Sequence, residues 1–297
     1  MKISLFLVAL SIFVVITNAQ ADLIEKKPVI IPPEMQNIVD AAGLATYLNN
    51  PDSDTRETAV MRLGEIGGTD AIDLLMKFFN QEPESMALEV QRGVKEAVVT
   101  ALGKIGTEEA KQNLLAILLN YIKNGKTIDY GASYRYVGQA SAVIRCSLEA
   151  LSNFTDADVI DTLETITKDQ SIPSGCYVPE LATGSLLKIK MKQEGITTTD
   201  AQIDYLVNNL TGSGSEPGAW AGQGIRTTEG LKNGAIEGLL EHMGEETLPY
   251  FKVKINQIPK EDVRRYKALS GVIKSLEAIK ISRDYSKKMK ARVSTVP

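Results

Sequence analysis

A chain of 297 residues with one histidine, His242, and two cysteines, Cys146 and Cys176, offers few groups for catalysis. A nucleophile–histidine–carboxylate relay is thinly provisioned with one imidazole, and a metal held by several imidazoles cannot be built within one chain. Adjacent carboxylates occur at Glu108–Glu109 and Glu245–Glu246. Each pair falls where a helix is expected to start, and negative charge is favourable there, so capping explains both pairs better than acid–base chemistry. The stretch TGSGSEPGAWAGQG, residues 211–224, lacks the Lys and Ser or Thr of a phosphate loop and has no strand before it. It reads as a flexible connector. The sequence therefore assigns no catalytic residue, no metal ligand and no cofactor.

What remains is recognition chemistry. Tyr130, Tyr134, Arg135 and Tyr136 cluster between 121 and 140, Tyr177 stands beside Cys176, and Trp220 and Arg226 flank the end of the Gly-rich stretch. Tyr, Trp and Arg are the types enriched in interfaces, because each combines a large contact area with a polar tip. These seven residues are the candidate partner-binding set. Cys146 and Cys176 are compatible with a disulfide or with two separate thiols, since geometry and not count decides.

The elements that must position these residues are visible in an echo. Residues 63–71 read LGEIGGTDA and residues 102–110 read LGKIGTEEA. An apolar stretch ends, glycine turns the chain, and a Thr with acidic neighbours opens the next helix. The Thr-led turn recurs at 69, 107, 155 and 199, and more loosely near 244, at intervals of 38, 48, 44 and 45 residues. Aligned on Leu63, Leu102, Leu151, Leu240 and Leu276, the first helices carry Ile66, Ile105, Phe154, Met243 and Ile279 three positions later. Thr58, Ala97, Cys146, Ala235 and Gly271 stand five positions before the anchors and are expected inside. Glu65, Lys104, Asn153, His242 and Ala278 stand two after and are expected outside. Asp54 and Glu57 form an expected capping box for the first helix.

On these residues the chain resembles HEAT repeats, most closely over Asp54–Phe79 and Val94–Leu119 and less so beyond Ile166. The resemblance implies an all-α fold, a right-handed α solenoid of about six HEAT-like helix pairs that binds other macromolecules and performs no chemistry. The organisation expected is a leader at 1–21, a linker and capping helix at 22–50 running from Pro33 to about Asn49, the repeats at 51–281, and a basic tail at 282–297. In a solenoid the connections between pairs emerge along one edge, and insertions gathered there commonly form the binding face. The connections 121–140, 171–180 and 211–226 hold all seven candidates.

Net charge is −4 with a pI of about 5.3, which provides no basic field for nucleic acid. Met1 and Lys2 precede an uncharged run, Ile3–Ile16, and Ala19-Gln20-Ala21 supplies a small-residue cleavage site. This is the pattern of a secretory signal peptide, with a mature chain starting at Asp22 and no membrane span after cleavage. The expected location is periplasmic or extracellular. The expected partner is a protein, with a cell-envelope glycan as the alternative, since sugar rings also stack on Tyr and Trp. The segment 280–292 holds six Lys or Arg against Asp284 alone; it reads as a solvated tail with an affinity for acidic surfaces.

Overall fold

The computed structural model describes residues 32–81, 91–127, 134–172, 177–215, 220–221 and 225–293. Side chains are described for the same residues apart from 91–93, 125–127, 134–142, 220–221, 225–226 and 286–293. The expected leader, Tyr130 and Cys176 lie outside the described residues. Two compact units are present, one spanning Ile30–Leu239 and one that includes Leu240–Pro297.

The first unit opens with short pieces: α1 (Pro33–Gln36), α2 (Ala41–Leu44) and a 3-10 turn at Tyr47–Asn49. A continuous helix from Pro33 to Asn49 was the expectation. The chain instead leaves the helix after Gln36 and restarts at Asp40, whose carboxylate accepts a hydrogen bond from the Gly43 N–H at 2.8 Å. Met35 and Leu44 are buried, whereas Val39, at the break between the two pieces, is 80% exposed.

Helix pairs follow: α3 (Ser53–Ile66) with α4 (Thr69–Gln81), α5 (Gln91–Ile105) with α6 (Glu108–Thr127), α7 (Tyr134–Leu151) with α8 (Ala157–Lys168), and α9 (Val178–Gln193) with α10 (Thr199–Asn209). The anchors Leu63, Leu102 and Leu151 are fully buried, and Glu65, Lys104 and Asn153 are exposed. Of the small residues, Thr58 and Ala97 are buried, while Cys146 is only half-buried and so lies less deep than expected.

The echo performs two tasks with its two glycines. Gly67 and Gly106 close their helices with φ of +69° each, a left-handed conformation that costs glycine little. Gly64 and Gly103 act inside the helices. A Cβ on Gly64 would lie 2.8 Å from the Ala101 Cβ, and one on Gly103 would lie 2.6 Å from the Ala150 Cβ. Each glycine thus lets one first helix press its backbone against the next. The same seam carries Lys104 Nζ to Glu65 at 3.2 Å, Ser185 Oγ to the Leu148 carbonyl at 2.8 Å and Lys192 Nζ to the Asn153 carbonyl at 2.6 Å.

The caps are less uniform than the sequence suggested. Asp52, not Asp54, caps α3, accepting from the Thr55 N–H at 2.8 Å and its hydroxyl at 2.6 Å. Thr107 accepts from the Ala110 N–H as expected. At α10 the cap is Thr198, one residue earlier than Thr199, and Asp156 rather than Thr155 holds the cap position of α8. In each displaced case a neighbouring Asp or Thr competes for the same role, and the start of the helix selects among them.

After α10 the described start of the Gly-rich stretch, residues 211–215, is pinned rather than slack. The Thr211 N–H donates to Asn233 at 3.1 Å and the Gly214 N–H to Glu237 at 3.0 Å, both on α11 (Thr228–His242). A Cβ on Gly214 would fall 2.5 Å from the Gly234 Cα, so glycine faces glycine where this segment crosses the helix. Two strands, β1 (Trp220–Ala221) and β2 (Ile225–Arg226), pair antiparallel, and among the described residues every other regular element is helical.

In the second unit Leu240 and Leu276 are buried and His242 is exposed. A 3-10 turn at Glu245–Thr247 leads into α12 (Leu248–Ile255), and α13 (Val263–Val293) follows. Leu248 and Phe251 of α12, and Ala268, Leu269, Val272, Ile273 and Leu276 of α13, are buried. Lys252 pairs with Glu277 at 2.6 Å. Gly271, expected inside, is exposed. α13 passes without a break through residue 282, where a tail was expected to start.

Candidate interaction edge

The geometry of the edge is set by the first two pairs. Lys95, in the early part of α5, lies 5.0 Å from the Phe79 ring centre near the end of α4 and donates to the Tyr121 hydroxyl at 3.4 Å near the end of α6. The Phe79 and Tyr121 rings are 6.1 Å apart and tilted by 59°. The ends of second helices and the starts of first helices therefore share one edge. Parallel first helices carry this arrangement onward, as the contacts of Ser185 with Leu148 and of Lys192 with Asn153 show. The chain leaves α6, α8 and α10 at this edge.

The candidates occupy it in different ways. Tyr134, Arg135 and Tyr136 were expected in a connection, yet they form the first turn of α7. Tyr121 is likewise helical and packs on the core. The long connection of 121–140 thus shrinks to 128–133, because α6 and α7 extend into it. α6 has 20 residues against 13 for α4 and 12 for α8. At about 1.5 Å per residue, α6 reaches roughly 10 Å further than its neighbours. Its partner α7, with 18 residues, carries the two tyrosines and the arginine on its opening turn.

Tyr177 holds the N-cap position of α9 with φ of 52°, among the described residues the one non-glycine in the left-handed region. It is 54% exposed. The left-handed region disfavours a bulky side chain, and Tyr177 adopts it immediately before the Val178-Pro179 start of the helix. Trp220 and Arg226 stand directly opposite one another in the β1–β2 register. The structure thus joins Trp220 with Arg226, and Tyr134 with Arg135 and Tyr136. Lys95 and Phe79 are edge residues that the sequence reading passed over; their signal, a Lys and a Phe 16 positions apart on different helices, has no fixed spacing to search for.

A dense charge cluster lies elsewhere and joins repeats. Lys111 is 4% exposed in its side chain, and its ammonium meets Glu108 at 2.7 Å, Asp158 at 3.1 Å and Asp156 at 3.4 Å. The Glu108 contact, with further help from Asp158 and Asp156, raises the lysine above its ordinary range despite the opposing cost of burial. Glu108 is held below the usual carboxylate range by Lys111 and Gln112. Burial pushes Asp158 up, but hydrogen bonds from Lys111, the Val159 N–H and Gln112 together bring it down. Among the described residues no grouping of His, Cys, Asp and Glu could hold a metal ion. None of the helices described is long and apolar enough to cross a membrane.

The family model for HEAT repeats matches residues 41–121, from α2 through the core-packed part of α6. No curated protein matches the chain. The matched segment holds the two helix pairs in which the Leu-Gly-x-Ile-Gly echo and the closing left-handed glycines occur, and residues 41–121 accordingly form HEAT repeats.

Proposed function

We propose that the chain is an exported, noncatalytic scaffold that captures a protein partner along the edge where its second helices end. HEAT repeats in general serve as protein-interaction scaffolds, and their repeated residues are consumed in holding the stack together. Recognition then falls to whatever departs from the repeat. The observation that carries the reading is the α6–α7 prominence, which presents Tyr134, Arg135 and Tyr136 in one helical turn beyond the reach of the neighbouring pairs. Tyr177, exposed in a strained backbone conformation, and the Trp220–Arg226 register pair supply the same residue types at the next two positions along the edge. Export rests on the pattern of residues 1–21, and noncatalytic action on the family's usual role.

The test is capture of partners by the purified chain from the native host, compared with a Tyr134→Ala, Tyr136→Ala, Trp220→Ala variant of equal helicity. The variant is expected to recover at least about tenfold less partner, as loss of central aromatic anchors does elsewhere. Equal recovery overturns the reading. Retention of the unaltered chain, but not the variant, on peptidoglycan or another envelope glycan would replace the protein partner with a carbohydrate.

A further inference from the structure

The C-terminal half of α13 departs from the half that packs. Its core-facing positions run through Leu269, Val272 and Leu276, all buried. Continued at the same helical spacing, that seam reaches Lys280, Arg283, Lys287 and Lys290. Four successive seam positions are cationic, so this part of the helix cannot extend the apolar core. A second stripe begins on another face, with Ile281 69% exposed and Tyr285 64% exposed, and Met289 and Val293 occupy the next positions at intervals of four. From Lys280 to Arg292 the segment holds six cations and one anion, Asp284, in a chain whose net charge is −4. The one described acidic group that pairs with these cations is Glu245, 3.4 Å from Arg283.

The geometry points to a membrane-surface site: residues 280–293 of α13 lie along an anionic lipid surface, with the Ile281–Tyr285–Met289–Val293 stripe toward the acyl region and the lysines among the headgroups. Apolar positions on one side, cations around the remainder and low net hydrophobicity are the features of a helix that lies in an interface rather than across it. The distribution of charge selects lipid over an acidic protein. Lys288 borders the apolar stripe and Arg292, at the end of the helix, falls in register between Ile281 and Tyr285, while Lys280, Arg283, Lys287 and Lys290 fall toward the opposite side, so the cations are spread over more than half of the helix circumference. A facing acidic helix would engage one narrow row of them. A charged membrane attracts every cation within a Debye length, whichever way it points.

Sedimentation with vesicles tests this, using the chain from Asp22 onward, which retains every described residue. Vesicles of equal parts phosphatidylglycerol and phosphatidylcholine should bind it at least tenfold more than phosphatidylcholine alone, and added salt should weaken the binding. Lys287→Gln, Lys288→Gln and Lys290→Gln together should reduce binding at least tenfold with unchanged helicity, while Arg at the same positions should preserve it. Equal binding to neutral and anionic vesicles, or insensitivity to the Gln variant, overturns the proposal. So does unchanged binding of Ile281→Ser, Met289→Ser, which would leave the stripe without a role. Failure to sediment, with the same lysines binding polyglutamate instead, would assign the face to an acidic protein.

Discussion

Lys111 shows how one residue can tie two repeats. It stands on the core stripe of α6 with Ala110, Leu114 and Leu118, where an unpartnered ammonium would be costly, and three carboxylates from two repeats make its burial tolerable. Glu108 and Asp158 both sit below their ordinary pKa, so their contribution to stability is complete above about pH 4.5 and is lost as pH falls through their folded values. The raised lysine adds stability that is complete below its usual value and lost only on the far alkaline side. Lys111→Met should therefore lower the thermal midpoint at pH 7 and flatten its decline between pH 4.5 and pH 3. Circular dichroism melts across that range would show it, and parallel acid limbs for both proteins would exclude the cluster as a pH-dependent support. The sequence held a trace of this residue, a lysine at a position its neighbours make apolar, but its partners lie up to 47 positions away in the next repeat.

At the scale of helices, the repeat depends on glycine in a place where helix propensity argues against it. Ala is favoured over Gly inside a helix by about 1 kcal/mol. Gly103→Ala would gain that and yet set a Cβ 2.6 Å from the Ala150 Cβ and 3.1 Å from its Cα, forcing α5 and α7 apart. Overpacking of this kind costs about 1–3 kcal/mol, so after the propensity gain a net loss of up to about 2 kcal/mol is expected in urea unfolding. A neutral or stabilised variant would show that the seam can open without penalty. The pairing of helices was legible because Leu63, Leu102 and Leu151 recur with the glycines that end their helices. The role of Gly64 and Gly103 was not, since a helical glycine and a turn glycine are the same letter. Helix extent was also hidden. Tyr134, Arg135 and Tyr136 carry no start signal strong enough to separate a loop from a first turn, and so the α6–α7 prominence emerged only with the structure.

For the whole molecule, the all-α architecture followed from the echo and its intervals, while function is legible only as the remainder after packing is subtracted. The edge candidates were chosen by type and position, and the structure changes the setting of those it describes. Trp220 and Arg226 moved from a loose connector to a paired ribbon. The proposed export makes a specific statement about the secreted form: its amino-terminal residue should be Asp22, as read by terminal sequencing or intact mass. A chain recovered from the host with Met1 in place, inside the cell, would remove that part of the reading.

The seam between first helices also bears on how the chain acquires its structure. The bonds that join the first four pairs to one another connect residues 37 to 47 positions apart, as with Ser185 and Leu148, Lys104 and Glu65, and Lys111 and Asp158. Contacts of such limited separation require little loop closure and favour rapid folding. A polypeptide delivered amino terminus first, whether from a ribosome or a translocation pore, would present each new helix pair to a predecessor already in place. The stack can then grow by addition, without waiting for its carboxyl end.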